Sequence, residues 1–216
     1  MDKFLQKFAD KYDKWLKEDK IDRSASVIPV AASLSPTQQI MPSEQAIAIL
    51  RSAHTFALSP CTCREHYKRC DKPVETCFFL NSVADKLVAS GRARSITLEE
   101  AEAVIESANN SGLVHMRLYQ PDREMFALCN CCSCCCHDLQ LLLKHQRRDL
   151  IGRADFVAET SNDDCIHCGV CIDRCAFKAR SWNGDEVVFN ESACYGCGLC
   201  VTTCPQEAIH MRRLGT

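Results

Sequence analysis

A four-cysteine run occurs twice near the carboxyl end, and it limits the possible folds more than any other feature of the chain. Cys165, Cys168, Cys171 and Cys175 are spaced C-x2-C-x2-C-x3-C, and Cys194, Cys197, Cys200 and Cys204 repeat that spacing, followed by Pro205. Three thiolates two residues apart can wrap one face of a compact iron–sulfur cluster, and a fourth on the next turn can reach across to another. The small residues between them let backbone amides approach the sulfurs. Tandem zinc sites are the alternative, but zinc ribbons seldom repeat a four-cysteine run twice at this spacing.

Eighteen cysteines stand in 216 residues, a density typical of cysteine-dependent scaffolds. The first ten residues, MDKFLQKFAD, lack the apolar region of a secretory signal. No apolar run approaches the length needed to span a bilayer. Reduced metal-binding thiolates in a cytoplasmic setting are therefore expected rather than disulfides. The formal net charge of -2 offers no basic field for nucleic acid.

The chain divides into an amphipathic helix over 1–26, a cysteine-rich region over 27–156 and a small module over 157–216. Phe4, Leu5, Phe8, Tyr12, Trp15 and Leu16 recur at helical spacing. That stripe is expected to pack on its own chain, with docking to a partner as the alternative. Val27–Leu34 reads as an edge strand because Pro29 interrupts it. Ser43 offers an N-cap for a helix to about Leu58, and Glu75 to about Ser90 reads as another helix ending at Gly91. Thr97 and Glu100 form a capping box for a helix that should stop at Gly112, and Leu139–Arg147 reads as a short helix. The expected fold is α+β: a mainly helical front domain and a βαββαβ-like module.

Residues ~160–212 resemble a bacterial two-cluster ferredoxin domain. The resemblance implies one [4Fe–4S] cluster on Cys165, Cys168, Cys171 and Cys204, and another on Cys194, Cys197, Cys200 and Cys175. Ala176 stands where that family often has proline, which removes no ligand.

The front region adds ten cysteines. Cys61, Cys63, Cys70 and Cys77 spell C-x-C-R-x5-C-x6-C, enough for a four-coordinate site of iron–sulfur or, less favoured, zinc type. Arg64 could offset the charge of its neighbouring thiolates, or form a surface ion pair. Cys129, Cys131, Cys132, Cys134, Cys135 and Cys136 crowd into eight residues. Neighbours point to opposite sides of a strand, or about 100° apart on a helix, so all six cannot serve one ordinary metal. The roles open to them are completing a cluster begun by the first group, supporting its ligands, redox activity or a structural part. Their soft thiolates would also suit Cu(I) or zinc. His66, His115 and His137 read as non-ligating.

The C-x-C-R run, the Cys70–Cys77 stretch, Gly112–His115 and the cysteine-dense run together resemble a family of 4Fe–4S dicluster proteins of anaerobic bacteria and archaea. That likeness implies at least one metal site beyond the ferredoxin pair. The likeness brings no defined reaction. The leading expectation, from the ferredoxin-type module, is an electron carrier or an electron-transfer subunit of a redox complex, working with a redox partner protein, without nucleic acid and without insertion into a membrane. The alternatives are a reductase acting on a disulfide, a corrinoid or another small substrate through its front cluster, and a soft-metal trafficking or sensing protein. No P-loop or dinucleotide fingerprint is present.

Overall fold

The computed structural model describes residues 1–28, 42–121 and 125–214. A stripe of aromatic and aliphatic residues makes α1 (Lys3–Lys17) amphipathic, and Asp2 caps it by accepting from the Leu5 amide at 2.9 Å. Next come β1 (Ala25–Ile28), α2 (Pro42–Ser52), β2 (Phe56–Pro60), α3 (Thr62–Tyr67), β3 (Glu75–Leu80) and α4 (Asn81–Ala89). The front region continues with β4 (Arg94–Ser95), α5 (Leu98–Asn110), β5 (Val114–Tyr119), β6 (Met125–Cys131), α6 (His137–His145) and β7 (Ile151–Gly152).

These strands form one seven-stranded sheet in the order β4-β2-β3-β6-β5-β1-β7. Its pairings are antiparallel except for the parallel β1–β7 pair. The front domain is therefore built on a sheet, and the expectation of a mainly helical domain is corrected. Segments such as ETCFFL in β3 are apolar on both faces, so they lack the polar alternation that marks a half-exposed strand. The helix expected from Glu75 to Ser90 is a strand followed by a helix, with Asn81 at φ 52 turning the chain between them. The helix expected to reach Leu58 stops at Ser52, and β2 follows. The rest of the Val27–Leu34 segment and the Ser43 side chain lie outside the described residues. The Thr97–Glu100 capping box is present, and α5 ends ahead of Gly112.

The pleat sends alternate side chains to opposite faces. Ile28, Leu58, Phe78 and Leu128 face α2 and α5, packing with Leu50 and Ile105. Cys77, Met116, Ala127, Cys129 and Cys131 belong to the other core, shared with Leu5, Ala9 and Tyr12 of α1 and with Leu139 of α6. The cysteines are thus gathered beneath α1 and α6 rather than exposed at a sheet edge.

The carboxyl module contains β8 (Phe156–Thr160), α7 (Val170–Arg174), β9 (Arg180–Asn183), β10 (Glu186–Phe189) and β11 (Ile209–Arg213). Antiparallel β8–β11 and β9–β10 pairs frame it. The segment after Cys200 forms turns rather than the second helix of a full βαββαβ unit. No helix among the described residues is long and apolar enough to cross a membrane.

Candidate metal centres

All eighteen cysteines are free. In the carboxyl module, Cys165, Cys168, Cys171 and Cys204 line one cavity together with Ile166, Gly169, Val170 and Ile209. Cys175, Cys194, Cys197 and Cys200 form a second group, in which the neighbouring thiols act on Cys197 and Cys200. Backbone amides donate to sulfur there, from Ala179 to Cys175 at 3.2 Å and from Gly196 to Cys194 at 3.4 Å. Such donors favour thiolate over thiol. Burial raises the Cys171 and Cys200 thiols, Cys200 to about 11, and the Arg180 charge acts against that rise at both. Arg180 is itself buried, and its Nη2 has no hydrogen-bond partner. A buried guanidinium beside two thiol groups, with a donor unspent, suits anionic sulfur-rich cofactors.

The ten front cysteines separate into a set of six and a set of four. In the first, each thiol acts electrostatically on its neighbours in turn: Cys61 and Cys77, Cys77 and Cys129, Cys129 and Cys131, Cys131 and Cys136, Cys136 and Cys63, and Cys63 and Cys61. These neighbour relations join the six buried thiols in a closed set, the ring. Sheet register accounts for part of it: Phe78 pairs with Leu128 and Phe79 with Ala127, so the same register sets Cys77 opposite Cys129. Cys129 and Cys131, two apart on β6, share a face. Cys61 and Cys63 enter from the start of α3, and Cys136 precedes α6. Hydrogen bonds from Cys63 and Cys77 hold the Cys61 thiol well below its ordinary range. Cys63, hydrogen-bonded to Cys136 and Cys61, is pushed up.

The second set is Cys70, Cys132, Cys134 and Cys135, whose sulfurs all lie within 4.8 Å of one another. Chain direction explains the division. Cys132 leaves β6, and the turn that follows carries Cys134 and Cys135 toward Cys70 before Cys136 returns to the ring. The expected four-coordinate set of Cys61, Cys63, Cys70 and Cys77 is not brought together as one group, because Cys70 lies on the loop beyond α3 and faces the other turn.

Arg64 stands at the meeting of the two sets. Its Nη1 donates to the Asn130 carbonyl at 3.0 Å and lies 3.8 Å from the Cys132 sulfur, and Nη2 donates to Thr76. Its Nε has no partner. Arg64 is only 2% exposed, so it is not a surface ion pair.

Residues 164–208 match a family described as the 4Fe-4S dicluster domain. No curated protein matches the chain. The match covers both four-cysteine runs and supports iron–sulfur binding by the carboxyl module.

The dicluster domain shares a core with the front region. Cys197, Leu199, Tyr195 and Phe177 belong to the same buried cluster as the front thiols, with Cys175 packed against it. Arg174 of α7 donates to the carbonyls of Asn109 at 2.5 Å and Asn110 at 3.3 Å, capping the end of α5. At the far side of the dicluster domain Cys168 is exposed, and Ile166 and Trp182 are more than half exposed.

The histidines divide in a way the sequence did not show. His66 stacks on Phe4, and His115 is buried against Asn130. His137 touches the ring: Nδ1 lies 3.0 Å from the Cys63 sulfur, Nε2 bonds the Tyr12 hydroxyl at 2.8 Å, and Phe8 stacks on the imidazole. Sequence reasoning missed Tyr12, Asn130 and Asp138 as supports of the site. Asp138, adjacent to His137 and bound by Ser24 at 2.9 Å, is a buried acid with no signature of its own.

Proposed function

We propose that the protein is an iron–sulfur electron-transfer protein or subunit, carrying two [4Fe–4S] clusters in the dicluster domain and a further cluster in the front domain. The observation that carries this reading is the shared core between the two regions. It supports a buried path from an accessible end at Cys168, through the Cys175 and Cys197 group, to the front ring of six thiols.

Cys165, Cys168, Cys171 and Cys204 would hold one cluster, and Cys175, Cys194, Cys197 and Cys200 the other. Bound clusters of this kind supply one-electron oxidation and reduction. Arg180 stabilises negative charge between the two sets, the Ala179 and Gly196 amides donate to ligand sulfur, and Trp182 shields one wall. The Cβ of any larger residue at Gly169 would meet Trp182 at 2.4 Å, so glycine is what permits that cover. In the front domain α1 and α6 exclude water from the ring, and Arg64 offsets its charge. A redox partner would meet the exposed Ile166, Cys168 and Trp182 end. The apolar stripe of α1 is taken up within the chain through Leu5, Ala9 and Tyr12.

The test is iron, acid-labile sulfide and reversible one-electron reduction on anaerobically purified full-length protein. Two cubanes account for about eight irons and eight sulfides, and a front cluster raises both. Cys171→Ser and Cys197→Ser should each remove a separate low-potential paramagnetic signal. Zinc in place of iron at the dicluster domain, or no reversible reduction, would refute the reading.

A further inference from the structure

The two front thiol sets differ in span, and span distinguishes one metal ion from a cluster. Four thiolates at 2.3 Å from one ion form a tetrahedron with edges of about 3.8 Å. The Cys70, Cys132, Cys134 and Cys135 sulfurs fall within 4.8 Å of one another, and the Cys70–Cys132 separation is 3.9 Å. In a cubane each thiolate sits on a different iron and projects outward, which requires a wider set. The dicluster domain provides an internal comparison. Among the described residues neither of its cysteine sets is drawn that close, and one of them surrounds a cavity.

We propose that Cys70, Cys132, Cys134 and Cys135 bind a single tetrahedral metal ion, zinc(II) or iron(II), separate from the iron–sulfur centre of the six-thiol ring. The inference rests on the reading that the front thiols are metal ligands, and it assigns the kind of centre to one set of them.

The surroundings are built for ligation. Arg69 donates to the Cys134 carbonyl at 3.2 Å and to Gln140 Oε1 at 2.7 Å, while Gln140 Nε2 donates to the Cys135 carbonyl at 3.0 Å. The Cys136 amide closes the turn onto the Cys132 carbonyl at 3.0 Å. Backbone clamps of this type fix ligand direction, and such supports contribute to metal affinity. Four thiolates and one divalent ion leave two negative charges, which the neighbouring Arg64 and Arg69 offset. On binding, thiol protons pass to solvent and no electron is transferred. The ion would tie the loop after α3 to the turn before α6, fixing the positions from which Cys63 and Cys136 enter the ring.

The experiment uses full-length protein purified anaerobically, with X-ray absorption at the zinc and iron edges and metal analysis of Cys134→Ser and Cys77→Ser. The wild type should hold about one ion per chain beyond the clusters, with four sulfurs at about 2.3 Å and no second metal nearby. A zinc-edge signal identifies zinc; a high-spin tetrahedral ferrous Mössbauer signal identifies iron. Cys134→Ser should lose that one ion and keep its sulfide. Loss of about four irons with four sulfides in Cys134→Ser would make the set a cubane site and overturn the proposal. So would a wild type without the single-ion signal at either edge. Cys77→Ser should lose iron and sulfide while retaining the single ion. If Cys77→Ser instead keeps all its iron and sulfide, the front iron–sulfur reading fails while the single-ion site stands.

Discussion

The Arg64 guanidinium lies 3.8 Å from the Cys132 sulfur while its Nη2 bonds Thr76, so one buried cation braces both front thiol sets. Cys61 and Cys77 contribute to the same electrostatic field. Taking a charge out of water costs several kcal/mol unless an anion accompanies it. Here the groups beside it that can carry that charge are the Cys61, Cys77 and Cys132 thiols, and the guanidinium and their thiolate forms would stabilise each other.

Arg64→Gln keeps some hydrogen bonding and removes the charge. It should weaken front metal retention by about tenfold or more. Stability should fall by about 3 kcal/mol, because the thiolates lose their buried counter-charge. Iron and sulfide content and anaerobic urea unfolding measure both effects. Wild-type loading with an unchanged midpoint would contradict this account.

Tyr12→Phe deletes one buried hydroxyl that bonds His137 at 2.8 Å. The expected loss is about 1 kcal/mol, since the ring still packs and His137 retains Cys63 and Asp138 nearby. Thermal unfolding should begin a few degrees lower with metal content unchanged. Loss of front iron in this variant would mean that α1 governs ligation and not only cover.

His115 is buried against Asn130, and desolvation pushes its pKa down to about 4. The folded state then resists a proton that the unfolded chain accepts near 6.5. Stability is full above pH 6.5, falls as pH drops from there toward about 4, and levels off below. The total effect is roughly 3 kcal/mol. His115→Gln should flatten that part of the profile relative to wild type when unfolding is followed anaerobically across the window. Parallel profiles for the two proteins would disprove it.

Gly112 has φ +69, and a Cβ there would meet Arg174 Nη1 at 2.6 Å. Gly112→Ala should cost about 1–2 kcal/mol from backbone strain alone. It should also displace the Arg174 cap on α5 and loosen the contact between the two regions. Hydrogen exchange at the end of α5 should rise both in this variant and in Arg174→Ala. If exchange rises only in Gly112→Ala, the strain is local and Arg174 does not join the regions.

Much of the site could be read directly from residues close in sequence. The dicluster spacing, the Thr97–Glu100 box and the α1 stripe are local patterns whose physics is complete within a few turns. Strands β2, β3, β5 and β6 were not legible, because apolar segments buried on both faces carry no periodic mark and were taken for helix or left unassigned. The division of the front thiols was also hidden. Cys61 and Cys63 precede Cys70 in one motif, yet they join Cys77, Cys129, Cys131 and Cys136, while Cys70 pairs across 62 positions with Cys132.

The sequence alone determined that the chain concentrates thiols at metal-ligand spacing, and that residues 164–208 carry the twice-repeated run matched by the 4Fe-4S dicluster domain, since ligand spacing within a short loop fixes its own geometry. Tertiary structure decided which distant cysteines meet. It did so through strand register, which sets Cys77 opposite Cys129, and through the turn after β6, which sends Cys132, Cys134 and Cys135 to a different partner. It also placed Arg64 in the interior. A buried charge is tolerable only where the fold brings opposite charge to it, and no local pattern encodes that meeting.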